Sequence, residues 1–108
     1  MELCRDWSAN LDRMPGKAPT LRVDGCVCFD ESGWTVELTD HDGPQGINPR
    51  ILMIDAVVTE QDDPVKTTVL IEVPVHYERQ TETEYDQVHI LVREHSEVSK
   101  LIDVVPTS

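Results

Sequence analysis

Aromatic residues are scarce in this sequence, at 5% with a single Phe. The core volume must therefore come from Val, Ile and Leu, with Trp7, Trp34 and Phe29 as the large pieces. Long apolar runs are missing as well. No stretch approaches the ~20 consecutive apolar residues that a bilayer-crossing helix requires, which excludes such a helix. Positive charge is short: nine basic residues face twenty-one acidic ones, a formal charge of −12. The deficit deepens along the chain, with twelve acidic and four basic residues from Asp55 onward. Such a field repels phosphates and anionic headgroups, so it disfavours direct nucleic-acid and membrane binding and favours a basic protein surface. The first residues carry neither a basic start nor an apolar run, so no secretory signal is read and a cytoplasmic location is the expectation.

Cysteines are few and odd in number. Cys4, Cys26 and Cys28 cannot all pair within one chain. Cys26 and Cys28 stand two apart in an expected strand, on one face and about 6.5–7 Å apart at ~3.3 Å per residue. A direct bond between them would be strained, so free thiols in a reducing compartment are expected.

What the sequence does have is alternation. In Thr20–Phe29, Leu21, Val23, Val27 and Phe29 recur every second residue, the signature of a half-buried strand. Gly25 falls in that apolar register, where a glycine indicates a bulge or a closely packed neighbour, and Trp7 or Trp34 is the side chain to fill the space. Asp30-Glu31-Ser32-Gly33 is a turn by composition, and Trp34–Thr39 returns as a second strand of the same hairpin. The stretch from Asp40 to Arg50 holds two glycines and two prolines and reads as an ordered loop. Ile51–Thr59 is nearly continuous apolar sequence broken by Asp55, and Pro49 and Pro64 bound it too closely for a helix. Val69, Ile71, Val73, Val75 and Tyr77, then Val88, Ile90 and Val92, read as one long hairpin over Val65–Arg93 with an acidic tip. A last strand covers Ser99–Val105. Residues 1–19 form an irregular segment, with a short helical turn at Trp7–Leu11 broken by Pro15-Gly16 and the indole docking it onto the body.

A chain of 108 residues closes one core, so residues 1–108 are expected to form a single domain. About six to seven short strands with turn signals between them indicate an all-β fold. The expected architecture is an antiparallel β-sandwich with immunoglobulin-like, Greek-key topology, with a partly open barrel as the alternative.

If both stripes of the long hairpin face one core, Tyr77 opposes Val88, Val75 opposes Ile90 and Val73 opposes Val92, because a one-residue slip would invert a stripe. The outward face then pairs His76 with His89, Glu72 with Arg93 and Glu78 with Gln87. Pro74 marks the first strand as an edge or as bulged. Two imidazoles beside Glu78 make His76 and His89 the metal candidates, although a zinc site asks for three or four ligands. The Cys26-x-Cys28 spacing falls short of a structural zinc motif. Asp40-His41-Asp42-Gly43 resembles the start of a calcium loop, but it lacks the sixth-position glycine and the distal glutamate. No G-x-S-x-G, H-E-x-x-H, P-loop or dinucleotide fingerprint is present, so neither enzyme activity nor a cofactor is expected. The stronger candidate is the hairpin tip, where Glu78, Glu82, Glu84 and Asp86 surround Tyr85. An aromatic anchor ringed by charge suits recognition of a basic partner. Ile47, in Gly46-Ile47-Asn48-Pro49, is a further partner-binding candidate.

Trp7-Ser8-Ala9, Pro44-Gln45-Gly46-Ile47-Asn48-Pro49, Val57-Val58 and Thr83-Glu84-Tyr85-Asp86 together resemble a group of small uncharacterised bacterial proteins. The resemblance implies a compact all-β fold and brings no activity, substrate or catalytic residue with it. The sequence thus points to a non-catalytic acidic interaction module, an inhibitor or adaptor whose carboxylates can occupy a site meant for phosphates. The competing reading is a small-molecule or metal-binding domain using His76 and His89. A third is a structural subunit of an assembly.

Overall fold

The computed structural model is all-β, and the structure describes residues 1–13, 16, 18–46, 48–61 and 67–107. Eight strands follow one another: β1 (Glu2–Leu3), β2 (Ser8–Asp12), β3 (Thr20–Phe29), β4 (Trp34–Asp40), β5 (Ile51–Glu60), β6 (Ile71–Gln80), β7 (Gln87–Val92) and β8 (His95–Thr107). No helix among the described residues is long and apolar enough to cross a membrane.

β3 organises one half of the molecule. One edge carries β6 in a ten-residue antiparallel ladder from Thr20↔Gln80 to Phe29↔Ile71. The other edge carries β1 and then β2 in succession. The long β8 joins this half to the rest, because its end runs parallel to β2 while its beginning pairs antiparallel with β7. β7 lies parallel to β5, and β5 antiparallel to β4. The outcome is one curled, mixed sheet in the order β1-β3-β2-β8-β7-β5-β4, with β6 on the remaining edge of β3. Curling brings its two terminal strands together. Tyr77 Oη on β6 donates to Asp40 Oδ1 on β4 at 2.6 Å, and Arg79 approaches the same carboxylate at 3.7 Å. Burial, then this hydrogen bond, pushes the Tyr77 phenol up to about 12, so it stays a donor across the physiological range.

The all-β class agrees with the sequence, but the connectivity does not. The parallel pairs β2–β8 and β5–β7 depart from the antiparallel sandwich. Neither expected hairpin forms: β6 pairs with β3 rather than β7, and β4 pairs with β5 rather than β3. Alternation fixes which side chains face inward, but not which neighbour they meet. The stripe Val73, Val75, Tyr77 fits Val23, Gly25, Val27 as well as it fits Val88–Val92, and β3 offers the longer ladder. Two strands replace much of the irregular N-terminal segment, and Ser8–Asp12 is extended rather than helical. Burial explains the preference, since Ala9 and Leu11 alternate into the core.

That core is aliphatic. Leu21, Val23, Val27, Ile54, Val88, Ile90 and Val92 are fully buried, each stabilising the fold by about 1.5–3 kcal/mol relative to exposure. Gly25 is where the large N-terminal ring enters. A Cβ at that position would overlap the Trp7 indole, so Trp7 rather than Trp34 fills the space above the glycine. β8 starts earlier than the sequence suggested because Arg93 and Glu94 make a tight reversal, with Glu94 taking the left-handed φ of 70° that lets His95 pair back with Val92.

Candidate functional site

The acidic tip is largely self-neutralised. Asp86 accepts two hydrogen bonds from Arg50, Nε at 2.8 Å and Nη2 at 2.9 Å. That fork holds the Asp86 carboxyl below its ordinary range and raises the guanidinium. Glu84 pairs with Arg13 at 2.8 Å, and Glu78 stands 3.8 Å from Arg22 and 3.4 Å from His76. Glu82 is exposed. Tyr85, the expected aromatic anchor, is half-buried and packs against the core instead of projecting outward. Ile47 lies outside the described residues.

The histidine face expected of the hairpin does not form. His76 sits opposite Asp24 on β3 and donates through Nδ1 to Asp24 Oδ1 at 2.6 Å. Hydrogen bonds to Asp24 and then Glu78 raise its pKa, stabilising the imidazolium. His89 stands between Met53 and Leu101, on a strand that does not neighbour β6. The reason is the exchange of partners that moved β6 onto β3.

One carboxylate is buried among the described residues, and sequence reasoning treated it only as an interruption. Asp55 is 3% exposed. It accepts from His41 Nδ1 at 2.7 Å, from the Asp42 backbone N–H at 3.1 Å and from Arg93 Nε at 2.9 Å. Burial alone would raise its pKa, but these three donors outweigh it and hold the carboxyl below the usual range. The loop after β4 is thereby tied over β5. Gln45 completes the attachment, because Met53 N–H donates to its Oε1 at 2.8 Å and its Nε2 donates to Met53 O at 3.3 Å, in place of the strand that β4 no longer supplies. A backbone N–H of the Asp40–Gly43 turn thus serves a carboxylate on another strand.

Arg93 leads from this node to a cleft of about 180 Å³. Phe29, ending β3, and Trp34, opening β4, stack with centroids 5.5 Å apart and planes within 3°. They line it with Val58, while Asp30, Glu31 and Glu94 supply carboxylates and Arg93 closes one side. Trp34 Nε1 donates to Glu31 Oε1 at 3.3 Å, orienting the indole. Arg93 adds no free positive charge here, since Asp55 neutralises it and its Nη2 donates to Thr39 Oγ1 at 3.2 Å. The four-residue turn between two aromatics was the available sequence signal: it crosses between two halves of the sheet, which leaves both rings at the crossing. No family model, curated protein or solved structure matches this chain.

Proposed function

We propose that the protein is a non-catalytic acidic interaction module that receives a basic segment of a partner protein in the Phe29–Trp34 cleft. The observation that carries this reading is the parallel aromatic stack opening into a cleft bordered by Asp30, Glu31 and Glu94. An arginine side chain matches both features. Its guanidinium is planar and stacks on aromatic faces, and its fork of donors suits carboxylates. The formal charge of −12 attracts a cationic partner from a distance, and the cleft gives the encounter a fixed geometry. The tip is the weaker place for the same partner, because no such aromatic stack stands there and Arg13 and Arg50 already hold Glu84 and Asp86.

The test is a titration of the chain with hexa-arginine peptide at low and at high salt, followed by tryptophan fluorescence. A saturable change that weakens steeply as salt rises is expected, since exposed charge is screened within about 10 Å at 0.1 M. A response that persists in Trp34→Leu, or no response at all, would remove the cleft from the account.

A further inference from the structure

The three cysteines converge, which no spacing in the sequence announced. β1 pairs with β3 so that Glu2 faces Cys28 and Leu3 faces Val27, and Cys4 N–H then donates to Cys26 O at 3.0 Å. Cys4 therefore stands opposite Cys26, with Cys28 two residues along on the same face. Cys4 and Cys26 form a disulfide, which corrects the expectation of three free thiols, and Cys28 is free. The Cys28 thiol reaches Cys4 Sγ at 2.8 Å, and the three sulfurs lie within 4.8 Å of one another.

We propose that, once the Cys4–Cys26 bond is reduced, Cys4, Cys26 and Cys28 hold a thiophilic d10 cation, zinc(II) or copper(I), as a three-thiolate site. A metal–sulfur bond of about 2.3 Å with tetrahedral angles sets its sulfurs about 3.8 Å apart, and the three sulfurs already lie within 4.8 Å of one another. Soft thiolate sets select these ions over magnesium or calcium. A structural disulfide has no use for a third sulfur, whereas a metal site does.

The surroundings favour a cation over a reactive thiolate. Cys28 lies between two carboxylates in register, Glu2 on β1 and Glu72 on β6. Both carboxylates attract a cation held at the sulfurs and oppose a bare thiolate there. Access exists through a cleft of about 250 Å³ lined by Met1, Glu2, Cys28 and Leu70. Three sulfurs satisfy copper(I), and zinc(II) would take a fourth ligand from solvent.

Disulfide and cation exclude each other, since both use the Cys4 and Cys26 sulfurs. A dithiol reductant supplies two electrons and two protons, breaking the Cys4–Cys26 bond and leaving as its own disulfide. Three thiols then bind the cation through sulfur and release their protons to solvent. The site is independent of the arginine cleft and stands or falls separately.

The test uses the full chain, reduced with a dithiol that is then removed without air, and titrated separately with zinc(II) and with copper(I). One ion per reduced chain and none per oxidised chain is expected by native mass spectrometry, the tighter ion identifying the resident. Cys28→Ser, checked for folding by circular dichroism, should lower affinity on the order of a hundredfold while leaving the disulfide able to form. Should the reduced chain unfold, recovery of its near-ultraviolet dichroism on adding either ion becomes the readout. Failure of both ions to bind or restore the fold, or binding by Cys28→Ser as tight as that of the parent chain, overturns the proposal.

Discussion

The two ends of the β3–β6 ladder carry similar acidic composition and put it to different use. At the Thr20–Gln80 end the chain supplies its own counter-charges: Arg13 takes Glu84, Arg22 takes Asp12 at 3.0 Å, and Arg50 takes Asp86. At the Phe29–Ile71 end the carboxylates of Asp30, Glu31 and Glu94 border an aromatic cleft whose neighbouring cation, Arg93, is held by a buried Asp55. Acid content alone therefore does not locate a docking surface. What distinguishes the ends is that arginines of the chain clamp the carboxylates at the first, whereas at the second a stacked pair of aromatic rings lies beside them to be desolvated.

The largest loss is expected at Asp55. Asp55→Ala leaves Arg93, His41 and the Asp42 N–H around an empty position, and a loss of about 3–5 kcal/mol is expected in urea unfolding. Because the folded Asp55 carboxyl is depressed, its contribution is complete above the unfolded value of about 3.9 and disappears as pH falls through the lower folded value. Asp55→Asn should accordingly flatten the acid limb of the stability profile below about pH 4, and an unchanged limb would show that other carboxylates govern it. Gly25→Ala comes next. The added methyl meets the Trp7 ring, and a cost of about 3 kcal/mol is expected in thermal melting; a neutral outcome would mean that Trp7 can leave the site freely. At the seam, Tyr77→Phe removes the bond to Asp40 and should cost about 1 kcal/mol, and in the parent chain ultraviolet titration should find the Tyr77 phenol ionising at about 12.

The smallest effects belong to the self-neutralised end. Glu84→Gln removes an exposed ion pair and should change stability by no more than about 0.5 kcal/mol. His76 sharpens the point without much energy. Its raised folded pKa makes its contribution complete below the ordinary histidine value of about 6.5, and lost as pH rises through the folded value. Asp24→Asn should shift the His76 titration downward by NMR. No shift would mean that the 2.6 Å contact is not made in solution.

Much of this was legible in the residues, and the misses share a cause. Strand positions and inward faces followed from period-two alternation, and the glycine in the Leu21–Phe29 stripe correctly announced a packed indole. Partner choice did not follow. Val73, Val75 and Tyr77 can face any apolar stripe of matching parity, so the acidic segment read as a hairpin tip instead connects two halves of a curled sheet. The same ambiguity hid Cys4 beside Cys26, since a two-residue strand carries no periodicity. Asp55 shows the third limit. A charge in an apolar run reads as an interruption until the loop carrying His41 and Asp42 and the turn carrying Arg93 are folded over it.

The most direct measurement titrates hexa-arginine into two double variants in parallel, Trp34→Leu with Glu94→Gln at the cleft and Glu82→Gln with Glu84→Gln at the tip. The first pair removes the indole and one charge from the cleft, the second removes two charges from the tip, and isothermal calorimetry at low salt reads the affinity of both without relying on tryptophan. A loss of at least about tenfold, equivalent to about 1.4 kcal/mol, is expected for the cleft variant, and little change for the tip variant. Unimpaired binding by the cleft variant together with loss in the tip variant would contradict this expectation, and would return the docking surface to the segment from Glu78 to Asp86.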